Sequence, residues 1–280
     1  MAIELTFLGT GTSAGVPMIG CSCEVCLSQD PRNQRHRSSV LIRYERPAGT
    51  REPGPVQFLV DAAPELRLQM LRERIERIDG VLFTHAHADH IFGIDDLRRF
   101  NAVMERELDL YAEDRVATQL REMFGYAFRS DINVNGSFVP QLLLRRVEPG
   151  VRIELLGAGW TPVRLLHGRL PILGFRVDRA GASMAYCTDV SAIPPESYPL
   201  LEGLDVLVID ALRYRHHPTH LTVDQALEAI EQLAPARSYL THVSHEIDHG
   251  VLQAALPPGV FVAYDGLRVV ASQRSEAARG

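Results

Sequence analysis

Short apolar runs separated by glycine, proline and polar residues recur along this chain, and they predict an alternation of strands and helices. The run 206–209 is apolar throughout, which is typical of a strand covered on both faces. Strands are predicted at 3–8, 39–44, 57–61, 81–83, 109–111, 162–167, 173–177, 184–189, 206–210, 238–242, 260–264 and 267–270. Helices are predicted at 64–77, 115–124 and 222–233, and a further helix is predicted to start near Asp95 with an aspartate as its cap.

Two connections carry turn chemistry. The segment 45–55 is rich in proline and glycine and predicts a hairpin. Asp265-Gly266 separates the last two predicted strands and is the strongest short hairpin signal, so those strands are predicted to pair. The stretch 126–139 mixes aromatic and polar residues without a clear period, and we interpret it as a loop that covers the active site.

A histidine-rich stretch follows the predicted strand 81–83 and offers four potential metal ligands within six positions. Imidazoles together with a carboxylate suit zinc, iron, manganese or nickel. His85 and His87 alternate by two, so in an extended backbone both side chains leave the same face and can share one ion. Asp89 and His90 form a second pair, which predicts two metals rather than one. The alternative is a polar surface loop without a metal.

Three of the four cysteines, Cys21, Cys23 and Cys26, also lie within six positions. In a reducing cytoplasm this crowding favours a metal over disulfides. Three thiolates need a fourth ligand for tetrahedral zinc. Cys187 lies inside an apolar strand and is predicted to be a core residue, so a distant histidine is the expected fourth ligand. Reactive or idle surface thiols are the alternative.

Composition narrows the class of protein. The chain has 280 residues, 46% of them hydrophobic and 23% charged, which is ordinary for a globular domain with a sizeable core. Its net charge of −6 argues against binding nucleic acid through bulk positive charge. Lysine is absent, so any charged phosphate contact must come from arginine or histidine. No apolar run approaches a membrane span and no signal core is present, so we expect a cytoplasmic protein without a membrane partner.

The segment His85-Ala86-His87-Ala88-Asp89-His90 resembles the HxHxDH signature of the metallo-β-lactamase superfamily. The cysteine triplet at 21–26 resembles the zinc loop of its phosphoribosyl 1,2-cyclic phosphate phosphodiesterase branch. The resemblance implies an α/β fold, a four-layer αβ/βα sandwich with two mixed sheets face to face and helices outside. It implies one domain over 1–271 with an inserted zinc loop near 21–26, and we expect 272–280 to be a flexible tail.

The resemblance also implies a ligand set for two divalent active-site metals, zinc, manganese or iron, and one structural zinc. The first active-site metal would be held by His85, His87 and His167, and the second by Asp89, His90 and His242, with Asp189 bridging. The structural zinc would be held by Cys21, Cys23, Cys26 and His245. Asp61 would support the metal loop from the end of its strand.

For the mechanism, the hypothesis is that a hydroxide bridging the two metals attacks phosphorus. The candidate catalytic residues are His220 and Asp89, with His220 as the general acid that protonates the leaving group. His217 is the fallback for this role, and an exposed helix-capping histidine is the alternative interpretation of His220. Arg98 and Arg99 are candidates for a phosphate contact or for a solvated helix face.

The leading functional hypothesis is a dinuclear metal phosphodiesterase that acts on a small phosphodiester, cyclic ones included. A tRNA 3′-processing endoribonuclease is the first alternative, although the acidic balance and the lack of a basic arm argue against it. Thioester or lactam hydrolysis fits less well. A non-catalytic metal-binding sensor is the second alternative, although none of the seven expected ligands is missing. The resemblance makes a homodimer an expectation.

Overall fold

A computed structural model describes residues 2–50, 52–129 and 137–272, and within these ranges it contains two seven-stranded sheets. The first sheet has the order β14-β1-β2-β3-β4-β5-β6. Its strands are β1 (Ile3–Gly9), β2 (Ser39–Tyr44), β3 (Val56–Val60), β4 (Gly80–Leu82), β5 (Leu108–Ala112), β6 (Leu142–Arg146) and β14 (Arg268–Ala271). The strands of the second sheet are β7 (Ile153–Leu155), β8 (Ala158–His167), β9 (Leu170–Arg179), β10 (Ala182–Cys187), β11 (Val206–Asp210), β12 (Arg237–Thr241) and β13 (Val260–Val262).

Each sheet combines an antiparallel part with a parallel part. In the first, β14, β1, β2 and β3 pair antiparallel, whereas β3 to β6 are parallel. In the second, β7 to β10 pair antiparallel, and β10 to β13 are parallel. Parallel neighbours need crossover connections, and helices supply most of them. The helices are α1 (Leu66–Glu73), α2 (Ala88–Ile91), α3 (Arg98–Met104), α4 (Asp114–Met123), α5 (Val223–Leu233) and α6 (His249–Ala255).

The core has three layers that separate four layers of secondary structure. Between the sheets, Phe58, Trp160, Phe175 and Tyr186 belong to one buried cluster, with Trp160 packed edge-on against Phe58. A second cluster lies between the first sheet and helices α1, α3 and α4, and a third between the second sheet and helices α5 and α6. Full burial of one such side chain stabilises the fold by about 1.5–3 kcal/mol. The predicted sandwich, with helices outside two face-to-face sheets, is therefore confirmed.

Several boundaries differ from the sequence prediction. Helix α1 is shorter than 64–77, because Arg74 adopts a left-handed backbone (φ 54°) that ends it. The aspartates at 95 and 96 lie inside a 3₁₀ turn, and no side chain caps it. The predicted pairing across Asp265-Gly266 is wrong, because β13 is an edge strand of the second sheet and β14 an edge strand of the first.

The predicted covering loop at 126–139 is only partly described by the structure. Within 126–139, residues 130–136 lie outside the described residues; the flanking parts line a cavity with Leu142, where β6 begins. Parallel strands of both sheets end at the edge that carries the histidines described below. None of the helices in the described parts of the chain has the length and apolar character that a membrane span requires.

Candidate metal centre

The histidine-rich loop follows β4 and changes from extended to helical backbone within a few residues. His85 is buried, whereas His87 is exposed at the rim of the cluster. His87 has an extended backbone (φ −70°, ψ 151°), and helix α2 starts directly after it. Asp89 and His90 lie on this short helix and are both buried. The loop therefore presents its two pairs of candidate ligands from two kinds of backbone.

Three further candidate ligands come from the second sheet. His167 is the last residue of β8, Asp189 follows β10, and His242 follows β12. Strands β8 and β10 both pair antiparallel with β9 and so run in the same direction, and β12 is parallel to this direction as well. All three side chains therefore reach the same edge of the sheet.

Among the described residues, the histidines and aspartates at this edge form four groups of three, with candidate ligand atoms within 4.8 Å of one another. The groups are His85, His87 and His167; His85, His90 and Asp189; Asp89, Asp189 and His242; and His167, Asp189 and His220. Asp189 belongs to three of these four groups, which is the central position expected of a bridging carboxylate. The structure thus brings together all seven residues that the sequence predicted as active-site ligands.

Three residues at this edge have a left-handed backbone although none is glycine. The φ angles of Asp61, Asp189 and His242 are 63°, 59° and 58°. Asp61 and His242 directly follow a strand, and Asp189 follows one by two residues. The unusual angle therefore turns each side chain out of the strand direction. Such conformations cost on the order of 1 kcal/mol or more and concentrate at functional sites, although Asp and His tolerate them better than most residues.

Most of the histidines have a partner on the nitrogen that would face away from a metal. Nδ1 of His90 lies 2.7 Å from Oδ2 of Asp61, and Asp61 also accepts hydrogen bonds from the N–H and hydroxyl of Thr84. Nδ1 of His167 lies 2.8 Å from the carbonyl oxygen of Thr219. Such contacts fix the tautomer and the ring orientation of a metal ligand. Asp61 therefore occupies the supporting position that the resemblance implied.

Burial and charge act against each other in this cluster. Burial lowers the pKa of His85 well below its ordinary value. For His90, burial also lowers the pKa, but the carboxylates of Asp189, Asp89 and Asp61 outweigh it and raise the pKa well above its usual range. For Asp189, burial raises the pKa, but the imidazoles of His242 and His90 outweigh it and keep the carboxyl ionised. The cluster is thus a buried set of mutually compensating charges.

The donor set fits divalent metal ions. Nε2 of His85 and Nε2 of His90 are buried without a hydrogen-bond partner among the described residues, although Nε2 of His90 lies 3.2 Å from Asp189. A buried polar nitrogen without a partner costs about 1–3 kcal/mol, and coordination would remove that cost. Imidazole nitrogens and carboxylate oxygens are the ligands preferred by zinc, manganese and iron.

His220 stands beside this cluster and is held by a residue that the sequence analysis did not single out. Its Nδ1 lies 2.7 Å from Oδ2 of Asp210, which is completely buried at the end of β11. Burial lowers the pKa of His220 and raises the pKa of Asp210 well above its ordinary value. The sequence contained a signal for Asp210, because an aspartate at the end of an apolar strand occurs there as it does at Asp61.

The cysteine cluster is a separate candidate site. The sulfurs of Cys21 and Cys23 each lie 3.4 Å from Nδ1 of His245, and Cys26 completes a group of four within 4.8 Å. Zinc–sulfur bonds of ~2.3 Å and zinc–nitrogen bonds of ~2.0 Å at a tetrahedral angle would place such atoms roughly 3.5 Å apart. The contact with His245 lowers the pKa of Cys23 to about 6, which favours the thiolate that zinc binds.

Other predicted residues have simpler roles. Cys187 is completely buried, which confirms it as a core residue, and burial raises the pKa of its thiol to about 12. Arg98 and Arg99 lie on the exposed face of α3 and line a cavity between α1 and α3. His217 lies next to His220, with ring centroids 5.1 Å apart.

Known proteins with similar sequences and structures share this architecture. A family model described as the beta-lactamase superfamily domain matches residues 57–243. The crystal structure of a diphosphatase from the PhnP family is 40% identical in sequence, with a TM-score of 0.85, and the match covers 96% of this chain and 97% of that chain. The Zn²⁺-bound PqqB of Methylobacterium extorquens, at 18% identity with a TM-score of 0.73 and coverage of 95% and 99%, shows the same fold.

Two relatives found by sequence similarity are an octanoyltransferase and a ribonuclease Z. An octanoyltransferase of Porphyromonas gingivalis is 38% identical over 95% of this chain but only 51% of its own length. A ribonuclease Z of Microcystis aeruginosa is 26% identical over 69% of this chain and 53% of its own length. The chain thus spans about half the length of these relatives. Together with its buried histidine and aspartate cluster, the matches show that the chain belongs to the β-lactamase superfamily and is related to the PhnP family.

Proposed function

We propose that this protein is a dinuclear metal-dependent phosphodiesterase that hydrolyses a small phosphodiester, cyclic ones included. The observation that carries the proposal is the position of His220. Its Nδ1 contacts the buried Asp210, and its ring offers a ligand atom within 4.8 Å of those of His167 and Asp189. A proton donor adjacent to a centre for two cations suits cleavage at phosphorus, where charge develops on the phosphoryl and leaving oxygens. The diphosphatase and ribonuclease Z relatives support phosphorus as the reaction centre.

We assign one metal to His85, His87 and His167 and the other to Asp89, His90 and His242, with Asp189 between them. Zinc, manganese or iron bound there would lower the pKa of a water molecule and neutralise charge on the phosphoryl oxygens. The protein's part is to hold these ligands. Asp61 orients His90, and the carbonyl of Thr219 orients His167, so both rings are fixed before substrate binds.

His220 then transfers a proton to the leaving oxygen. With Nδ1 directed at Asp210, the proton available to substrate is the one on Nε2, and the Asp210 carboxylate stabilises the imidazolium that carries both protons. Asp89 is one of the ligands of the second metal and also lies in the group that contains His242. Its charge contributes to holding this metal in place, which is its proposed role in catalysis.

The decisive experiment combines metal analysis with turnover. We expect two active-site metals and one zinc per chain, together with hydrolysis of bis-p-nitrophenyl phosphate and of at least one member of a panel of cyclic nucleotides and cyclic ribose phosphates. The variant Asp89→Asn should lose metal and turnover, whereas Asp224→Asn, exposed on α5, should keep both. Two bound active-site metals without hydrolysis of any ester would overturn the proposal. Light scattering of the same sample tests the expected homodimer.

A tRNA 3′-processing activity is the second candidate, because the chain matches a ribonuclease Z over 201 residues. The net charge of −6 gives little general attraction for RNA. A tRNA precursor with a 3′ extension should therefore show neither a salt-dependent gel shift nor cleavage at micromolar protein. Cleavage at the 3′ end would replace the small-substrate proposal with this one.

A further inference from the structure

A cavity of about 400 Å³ opens on the side of His220 and has no assigned role. Its lining includes Arg169, Ser191, His217 and Thr219 together with His220 itself. His220 is the proposed proton donor to the leaving group, so a cavity that it lines is where the leaving group of a bound substrate would lie. We refer to it as the leaving-group pocket.

Arg169 is fixed beside the metal cluster by a very short turn. His167 pairs with Leu170 across β8 and β9, so the connection consists of Gly168 and Arg169 alone. Gly168 has the positive φ (63°) that two-residue hairpins favour, and its N–H donates to the hydroxyl of Ser191 over 2.8 Å. Arg169 therefore follows a candidate metal ligand by two residues on an anchored backbone.

The Arg169 guanidinium is available for a ligand. The side chain is exposed, and it makes no hydrogen bond or ion pair with any residue in the described part of the chain. By contrast, Arg213 and Arg215, which precede the lining residues His216 and His217 in the chain, both pair with Glu246.

The remaining lining is suited to an anion. Nδ1 of His217 accepts hydrogen bonds from the N–H and the hydroxyl of Thr219, at 3.3 and 3.1 Å, which places the proton of the neutral ring on Nε2 as a donor. Ser191 adds a hydroxyl, although it already donates to the carbonyl of Leu166. Among the residues that the structure describes, no aspartate or glutamate lines this pocket. Its fixed charge is therefore positive, against a net charge of −6 for the whole chain.

We propose that Arg169, assisted by His217, binds a phosphate group on the leaving group, and that the preferred substrates are diesters of diphosphate rather than simple phosphodiesters. This inference rests on the proposed hydrolysis at phosphorus. A guanidinium can bind a phosphate through two parallel hydrogen bonds, which fixes both its position and its orientation. The phosphate next to the reacting phosphorus would thus be held while His220 protonates the oxygen between them.

The reaction is balanced as an ordinary hydrolysis. The oxygen of water forms a bond to one phosphorus of the diphosphate, and water loses a proton. The bond from that phosphorus to the bridging oxygen breaks, and the electron pair stays on the bridging oxygen. This oxygen takes the proton of His220 and leaves as part of a phosphate monoester, and solvent returns a proton to the imidazole. The products are two phosphate monoesters.

The test compares two substrates with the same nucleoside but different leaving groups. Diadenosine 5′,5′-diphosphate releases AMP, which carries the phosphate, whereas adenylyl-3′,5′-adenosine releases uncharged adenosine. We expect Arg169→Gln to lower the ratio of kcat/KM for the first substrate over the second by about 10- to 100-fold, as for loss of a charge-assisted phosphate contact. Arg152→Gln changes an exposed arginine that lies beside Gly159, near the opposite end of β8, and should leave the ratio unchanged.

Binding of AMP provides a readout that does not depend on turnover. Calorimetry should show AMP binding weakened about tenfold or more in Arg169→Gln and unchanged in Arg152→Gln. An unchanged substrate ratio together with unchanged AMP binding would overturn the subsite. So would a wild-type enzyme that cleaves adenylyl-3′,5′-adenosine but not the diphosphate. If neither these substrates nor bis-p-nitrophenyl phosphate are cleaved, the proposed function fails, and AMP binding alone decides whether Arg169 forms an anion site.

Discussion

The two ligand clusters of this protein differ in depth and in completeness. The histidine and aspartate cluster is largely buried, draws on both sheets, and has more candidate ligands than a single ion requires. The cysteine cluster is half-buried and consists of three neighbours on one loop with one distant histidine. Four protein ligands close a tetrahedral zinc site, whereas a catalytic centre keeps a position open for water or substrate. The comparison indicates a structural role for the second cluster.

The clusters are connected through a short segment of chain. His242 belongs to the buried cluster, and His245 belongs to the cysteine cluster. Between the loop and this segment lies Arg35, which is completely buried and donates hydrogen bonds to the carbonyls of Ser244 and Ile247. The segment 242–247 is therefore held at two points, by the cysteines at His245 and by Arg35 at the carbonyls of Ser244 and Ile247. Loss of a ligand in the cysteine cluster should therefore loosen the position of His242.

The largest effect is expected at the centre of the buried cluster. Asp189→Asn removes the charge shared by three groups of ligands. Since each bound metal contributes several kcal/mol to catalysis, we expect at least about a 10⁴-fold loss of kcat on bis-p-nitrophenyl phosphate together with a loss of bound metal. Asp224→Asn is again the control. Full metal content with more than a hundredth of the activity would show that Asp189 does not join the two metal positions.

The next largest effect concerns proton transfer rather than metal binding. His220→Ala should retain the metals and reduce kcat by about 10²- to 10³-fold on an ester with an alkyl leaving group, because the leaving alkoxide then lacks its proton donor. The loss should be smaller on bis-p-nitrophenyl phosphate, whose leaving group needs little protonation. Glu228→Ala, exposed on α5, serves as the control. Retained metal with turnover near wild type on both esters would remove His220 from the mechanism.

The cysteine cluster should affect catalysis only indirectly. The double variant Cys21→Ser, Cys23→Ser should lose one zinc and reduce kcat by about 10- to 100-fold, the range typical of lost support around a metal ligand. Ser22→Ala changes the exposed residue between the two cysteines and should have no effect. A double variant with full metal content and full activity would show that the two clusters are independent.

The last prediction concerns stability, with no direct effect on catalysis expected. Arg35→Met removes three hydrogen bonds from a buried guanidinium and leaves the carbonyls of Ser244 and Ile247 without their donor. We expect the free energy of unfolding in urea to fall by about 2–3 kcal/mol. Arg32→Met, which breaks an exposed pair with Asp30, should cost less than about 1 kcal/mol. Equal losses in the two variants would mean that Arg35 does not brace the segment.

Strand prediction succeeded where burial imposed a clear pattern. The strands 39–44 and 206–210 were predicted with the bounds that the structure shows, since their residues are almost all buried. The pairing of the last two strands was predicted wrongly from Asp265-Gly266. The side chain of Asp265 instead accepts hydrogen bonds from the N–H groups of Thr10 and His36, which ties this turn to loops at the ends of β1 and β2. A local turn signal does not reveal which sheet each strand joins.

The sequence by itself determined the kind of chemistry, because ligand types and short spacings are local properties. It located the seven active-site ligand candidates and the cysteine loop, and their family resemblance supplied the order. Only the tertiary structure decided what surrounds these residues: Asp210 against His220, the left-handed backbone of Asp189, and, two residues after His167, an Arg169 that has no partner within the described ranges. These contacts depend on the order and direction of the strands in two sheets, and the spacing of residues along the chain does not reveal either.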